Sequence, residues 1–160
     1  MRRINTLTLI LLTLLTLASC GELPQTRARE EYVFYAQGVE IELGEDADEI
    51  ISRLGKPNRT ASAPSCAGLG IDEVYIYNGF KISAYREGDE CEIVAIEFTN
   101  DTTKTAEGIS IGTDASSVRE IYGTGSAFSG GVEYIAEDCR LQFFISDGRV
   151  TAIKYLKKGD

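Results

Sequence analysis

The chain has 160 residues, 43% of them hydrophobic, with 16 basic and 25 acidic side chains and a formal charge of −9. It contains no His and no Trp; the missing His excludes Ser–His and Cys–His nucleophilic machinery, His-ligated zinc and histidine pH switching. So acidic a surface repels nucleic acid and anionic headgroups, so no nucleic-acid partner is expected.

Met1, Arg2 and Arg3 open the chain with positive charge, and Ile4 to Leu17 follow as a short run of Leu, Ile and Thr. That is the pattern of an export signal, and the run is too short for a permanent membrane span, which needs about 20 apolar residues. Leu17-Ala18-Ser19-Cys20-Gly21 resembles a lipobox, with cleavage between Ser19 and Cys20 and lipidation of the Cys20 thiol. The reading makes residues 1–19 a lipoprotein signal peptide and places the protein at the extracytoplasmic face of the cell membrane, held by acyl chains such as palmitate. Removing residues 1–19 takes away Arg2 and Arg3 and no acidic residue, moving the charge from −9 to −11. Residues 20–31 are polar and without apolar period, as expected of a flexible tether.

Tyr32 to Tyr35 and Val39 to Leu43 read as the first strands. Asp46, with Glu49 three residues on, then caps a helix whose apolar face is Ala47, Ile50, Ile51 and Leu54, stopped by Gly55 and Pro57. Strands are expected at Glu73 to Tyr77, Phe80 to Tyr85 and Glu92 to Phe98, with Asn78-Gly79 as a two-residue hairpin turn. Thr113 or Asp114 starts a second short helix carrying Ala115, Val118, Ile121 and Tyr122 and ending at Gly123. Strands follow at Gly131 to Ala136, Arg140 to Ile145 and Arg149 to Leu156, with Asp147-Gly148 as a turn.

Set against itself at an offset of 68, the chain aligns Gly44–Gly55 with Gly112–Gly123, which predicts tandem repeats over 32–100 and 101–160. The expected fold class is therefore α+β: two tandem repeats of short helix plus antiparallel β-meander, the helices packed on one face of an antiparallel sheet. The Gly-x-Asp-Ala helix, the antiparallel strands and the closing Asp-Gly-x-Val-x-x-Ile strand resemble the repeats of the beta-lactamase inhibitory protein. They also resemble the small lipoprotein of outer-membrane barrel assembly. Tyr32-Val33-Phe34, Pro64-Ser65-Cys66-Ala67, Tyr75-x-Tyr77 and Thr105-x-Glu107-Gly108-Ile109 are similar to uncharacterised lipoproteins of Gram-positive, Clostridia-type anaerobes. The resemblance implies a scaffold that binds proteins and brings no catalytic residue with it.

With Cys20 lipidated, Cys66, Cys91 and Cys139 form an odd set that allows at most one bridge. The meander places Cys66 within reach of Cys91, with Cys66 to Cys139 as the alternative and no bridge as the third case. The acidic runs Glu45-Asp46-Asp48-Glu49 and Glu87-Asp89-Glu90-Glu92 lack a cation-loop pattern and read as solvated faces. No metal, cofactor or catalytic residue is expected. Among the tyrosines, core is the commoner fate, while Tyr75, Tyr77 and Tyr85 are candidates for aromatic anchors of a protein interface. The expected function is a membrane-anchored, non-enzymatic protein-binding or envelope-support module, with its protein partner unidentified. The rival expectations are a carboxylate-based hydrolase of a cell-wall or environmental glycan, and an inhibitor or sensor subunit acting by occlusion.

Overall fold

The computed structural model describes residues 32–66 and 68–159. The expected signal, Cys20 and the tether lie outside the described residues. No helix among the described residues is long and apolar enough to cross a membrane.

β1 (Phe34–Ala36) and β2 (Val39–Ile41) form a small antiparallel hairpin. It turns at Gln37 and Gly38, whose φ of 52° and 78° belong to the left-handed region that a two-residue turn requires. α1 (Ala47–Leu54) follows. Then come β3 (Arg59–Pro64), β4 (Ile71–Ile76), β5 (Phe80–Glu87) and β6 (Glu90–Phe98). After α2 (Ala115–Tyr122) the chain adds β7 (Ser126–Phe128), β8 (Gly131–Ile135), β9 (Cys139–Ser146) and β10 (Arg149–Lys157).

The strands from β3 onward make one antiparallel sheet of eight, in the order β3-β4-β5-β6-β10-β9-β8-β7. This corrects the expected α+β arrangement of two helix-plus-meander repeats with helices packed on the sheet. The protein is mostly β, and its body is a single sheet running across residue 100 without a break. The cause lies in β6 and β10, the longest strands at nine residues each. Their alternating apolar runs pair with each other, Ile96 opposite Tyr155, so each meander completes its ladder on the other rather than on a helix. The helices bury only Ala47, Ile50, Leu54, Val118 and Tyr122; the strands supply the larger share of the core.

One face of the sheet is covered, and the N-terminal hairpin is part of its cover. Phe34 is fully buried and sits 5.2 Å from Phe80, 5.3 Å from Phe98 and 6.0 Å from Tyr155, ring centre to ring centre. Burying one such ring contributes about 1.5–3 kcal/mol. Under α2, Tyr122 packs 5.1 Å from Phe143 and 5.3 Å from Tyr134. Its hydroxyl lies 2.9 Å from buried Thr105 Oγ1 and donates to the Glu107 carboxylate.

The sheet ends on β3 and β7, neither expected from the sequence. Every β3 side chain is exposed, so no apolar alternation marks the strand. Ser65 N–H donates to Gly70 C=O at 3.0 Å. Carried along the register, that bond turns the N–H groups of Ala61 and Ala63 toward β4 and those of Thr60 and Ser62 outward. Pro64 then stands at an outward position, where a residue without an N–H breaks no ladder bond and blunts the open edge.

Candidate functional site

The β4–β5 and β8–β9 hairpins close in the same way but end differently. Tyr77 N–H donates to Phe80 C=O and Ala136 N–H donates to Cys139 C=O, both at 2.9 Å. Counting back from these turns, Tyr75 opposite Ile82 matches Tyr134 opposite Leu141, and Glu73 opposite Ala84 matches Val132 opposite Phe143. Arg86, seventh residue of β5, likewise matches Ile145, seventh residue of β9.

In the first hairpin the place is filled by charge. Arg86 donates from Nε to Glu73 Oε1 at 3.0 Å and from its terminal nitrogens to Asp48 of α1 at 2.7 and 3.0 Å. Tyr75 also donates its hydroxyl to Glu73. The hydrogen bonds from Arg86 hold the carboxyls of Asp48 and Glu73 below their ordinary range. Burial, with the neighbouring Glu73, raises the Tyr75 phenol. Among the described residues no group of three His, Cys, Asp or Glu is placed to hold a metal ion.

In the second hairpin the same place is apolar and open. Val132 and Ile145 are only partly buried, and with Ala127 they lie beside α2. Together with α2 they frame a groove of roughly 570 Å³. Its walls carry small residues, among them Ala115, Gly123 and Gly125, and one charge, that of Arg119. Arg119 is exposed on the last turn of α2 and forms no ion pair among the described residues. No carboxylate lines the groove, although the chain has 25 acidic residues. Gly131 at its base is required by packing, because a Cβ there would collide with the Phe143 carbonyl. β7 beside it is a sheet edge.

The opposite face of the sheet is crossed by a row of charges. Lys81, Glu97, Lys154, Gln142 and Glu133 lie side by side on consecutive strands. Glu97 bridges Lys81 at 3.2 Å and Lys154 at 3.1 Å, and Gln142 donates to Glu133 at 3.1 Å. Burial of Glu97 works against its ionisation, but the two lysines prevail and hold its pKa down. The next row, Val74, Ser83, Ala95, Leu156, Arg140 and Ile135, is mainly small or apolar.

The residues singled out from the sequence are scattered over this frame. Tyr75 and Tyr77 are buried at 8% and 5% exposure, Tyr77 donating its hydroxyl to Gly55 C=O where α1 ends. They therefore present no surface for a partner. Tyr85 lies on the open face, and its hydroxyl accepts a bond from Gly70 N–H at 3.1 Å. The bridges from Cys66 to Cys91 and from Cys66 to Cys139 are not formed. β3 explains the first of these: Pro64, Ile71, Arg86 and Cys91 share one row, so three strand spacings, about 14 Å, separate the two ends, twice the reach of a disulfide. Cys66 is exposed, whereas Cys91 and Cys139 are buried on the covered face. Arg119, Val132 and Ile145 escaped the sequence reading. Their only signal there was Val132 and Ile145 standing where the first hairpin has Glu73 and Arg86.

No protein-family model matches the chain, and no curated protein matches it. A solved structure of an extracellular protein containing a SCP domain, from Bacillus anthracis str. Ames, is similar at 15% identity and a TM-score of 0.43. The match covers 72% of this chain and 44% of that one, and so distant a likeness carries no argument about fold or function.

Proposed function

We propose that the protein is a lipoprotein anchored through Cys20 at the extracytoplasmic face of the membrane, and that its β domain is a non-enzymatic module binding another protein of the envelope. Anchoring is supported by the basic start, the short apolar run and Leu17-Ala18-Ser19-Cys20. The observation that carries the binding role is that Val132 and Ile145 stay partly exposed in the groove beside α2 and the strand edge of β7. Apolar side chains next to unpaired backbone groups are the two elements from which strand-type protein recognition is built.

The test joins metabolic labelling with an alkyne-bearing fatty acid to chemical cross-linking in intact cells. Label on the native chain and none on Cys20→Ser is expected, together with one reproducible cross-linked protein that is reduced in that variant. A chain that takes up no lipid label overturns the anchor, and a labelled, abundant chain without any cross-linked protein overturns the binding role.

A further inference from the structure

We infer that the groove between α2 and β7–β8 is a docking site for an extended peptide segment carrying a carboxylate, with Arg119 as the anion contact. The inference rests on the binding role proposed above and names the chemistry of the partner.

Three features of the groove converge on it. First, the groove takes the place that Arg86, Glu73 and Asp48 fill in the other hairpin, so the same frame is closed by ions at one end and left open at the other. Second, its single charge is a guanidinium without an ion-pair partner among the described residues, and no carboxylate lies in its walls. In a chain of net charge −9 such a spot attracts an anion that the remaining surface repels, and a guanidinium grips a carboxylate with two parallel hydrogen bonds. Third, the walls are low, with Ala115, Gly123, Gly125 and Ala127, so a main chain can lie close to them. The β7 edge at its side offers backbone donors and acceptors, which suit a peptide and give nothing to an acyl chain. Val132 and Ile145 then receive alternate apolar side chains of the segment.

The experiment uses the chain carrying Cys20→Ser and a phage-displayed library of random dodecapeptides. Enriched peptides are expected to share an acidic residue among β-branched or aromatic neighbours. Synthesised, they should bind with amide shifts confined to residues 115–132 and around 145. Affinity should fall at least tenfold when the acid is replaced by its amide or when Arg119→Gln is introduced. Arg119→Lys should recover part of the loss, and Ala127→Trp, which fills the groove, should remove binding while leaving the amide spectrum of β4–β6 unchanged. No enrichment, equal binding to Arg119→Gln, or shifts mapped to another face each overturn the groove. A cellular partner cross-linked through another face likewise overturns the groove but leaves the broader binding role standing, so the two failures are distinguishable.

Discussion

Arg86 donates from Nε to Glu73 Oε1 at 3.0 Å while its terminal nitrogens hold Asp48, so one guanidinium fastens β5, β4 and α1 together. Glu73 is the more enclosed carboxylate of the two, its side chain 16% exposed against 58% for Asp48. Ionised, it is well paired; deprived of its cation it would be a charge with little water to solvate it.

This pairing has a sign in pH. The carboxyls of Asp48 and Glu73 are held below their ordinary values of 3.8 and 4.5. The stability they contribute is thus fully present above pH 4.5 and is lost as pH falls through their folded values. Denaturant midpoints of the native chain and of Glu73→Gln should differ clearly at pH 7 and converge toward pH 3. A gap that stays constant over that range would show that ionisation of Glu73 has no part in the linkage.

The two helix starts predict unequal responses to the same substitution. Asp46 Oδ1 accepts from the N–H groups of Asp48 and Glu49 at 2.8 and 3.2 Å, whereas the Asp114 side chain makes no capping bond. Asp114 instead faces Arg149 at 3.5 Å with both side chains more than 60% exposed, a kind of pair worth little in water. Asp46→Ala should cost about 1 kcal/mol, and Asp114→Ala roughly half of that or less. Equal losses in chemical denaturation would contradict the difference in capping.

The central part of this fold was legible and its margins were not. β5, β6, β9 and β10 announce themselves because every second side chain enters the core, as Phe80, Ile82 and Ala84 do in β5. β3 and β7 carry no such alternation, since a strand at the border of a sheet with nothing over it has no reason to be apolar on either face. Without β3, Cys66 was placed too near Cys91. The groove was hidden for a related reason: Val132 and Ile145 look like core residues in the sequence, and only the packing around α2 leaves them partly exposed.

Phe34 tests how firmly the N-terminal hairpin belongs to the body. The hairpin is not paired with the large sheet, yet Phe34 is fully buried among Phe80, Phe98 and Tyr155, and Ile41 is 1% exposed. Truncating such a ring removes its transfer energy and leaves a cavity, so Phe34→Ala should cost about 3–5 kcal/mol, and Tyr35→Ala, at 50% exposure, about 0.5 kcal/mol or less. Urea unfolding followed by tyrosine fluorescence measures both. A small loss at Phe34 would mean that the hairpin is not part of the cooperative unit.

The cysteines give the most direct check of the strand order. In the chain with Cys20→Ser, Cys66 is exposed on the turn beyond β3, while Cys91 and Cys139 are buried. Burial also pushes the Cys91 thiol up to about 11, so at pH 8 only about one molecule in a thousand carries the reactive thiolate there. Iodoacetamide should therefore modify Cys66 rapidly in the folded protein, with Cys91 and Cys139 reacting only after denaturation, and peptide mass mapping separates the three. The same assay decides the covalent question that β3 raises. If Cys66 resists alkylation until a reductant is added, it is bridged; were its partner Cys91, the three strand spacings between Pro64 and Cys91 could not stand, and the end of β3 would have to leave the edge of the sheet.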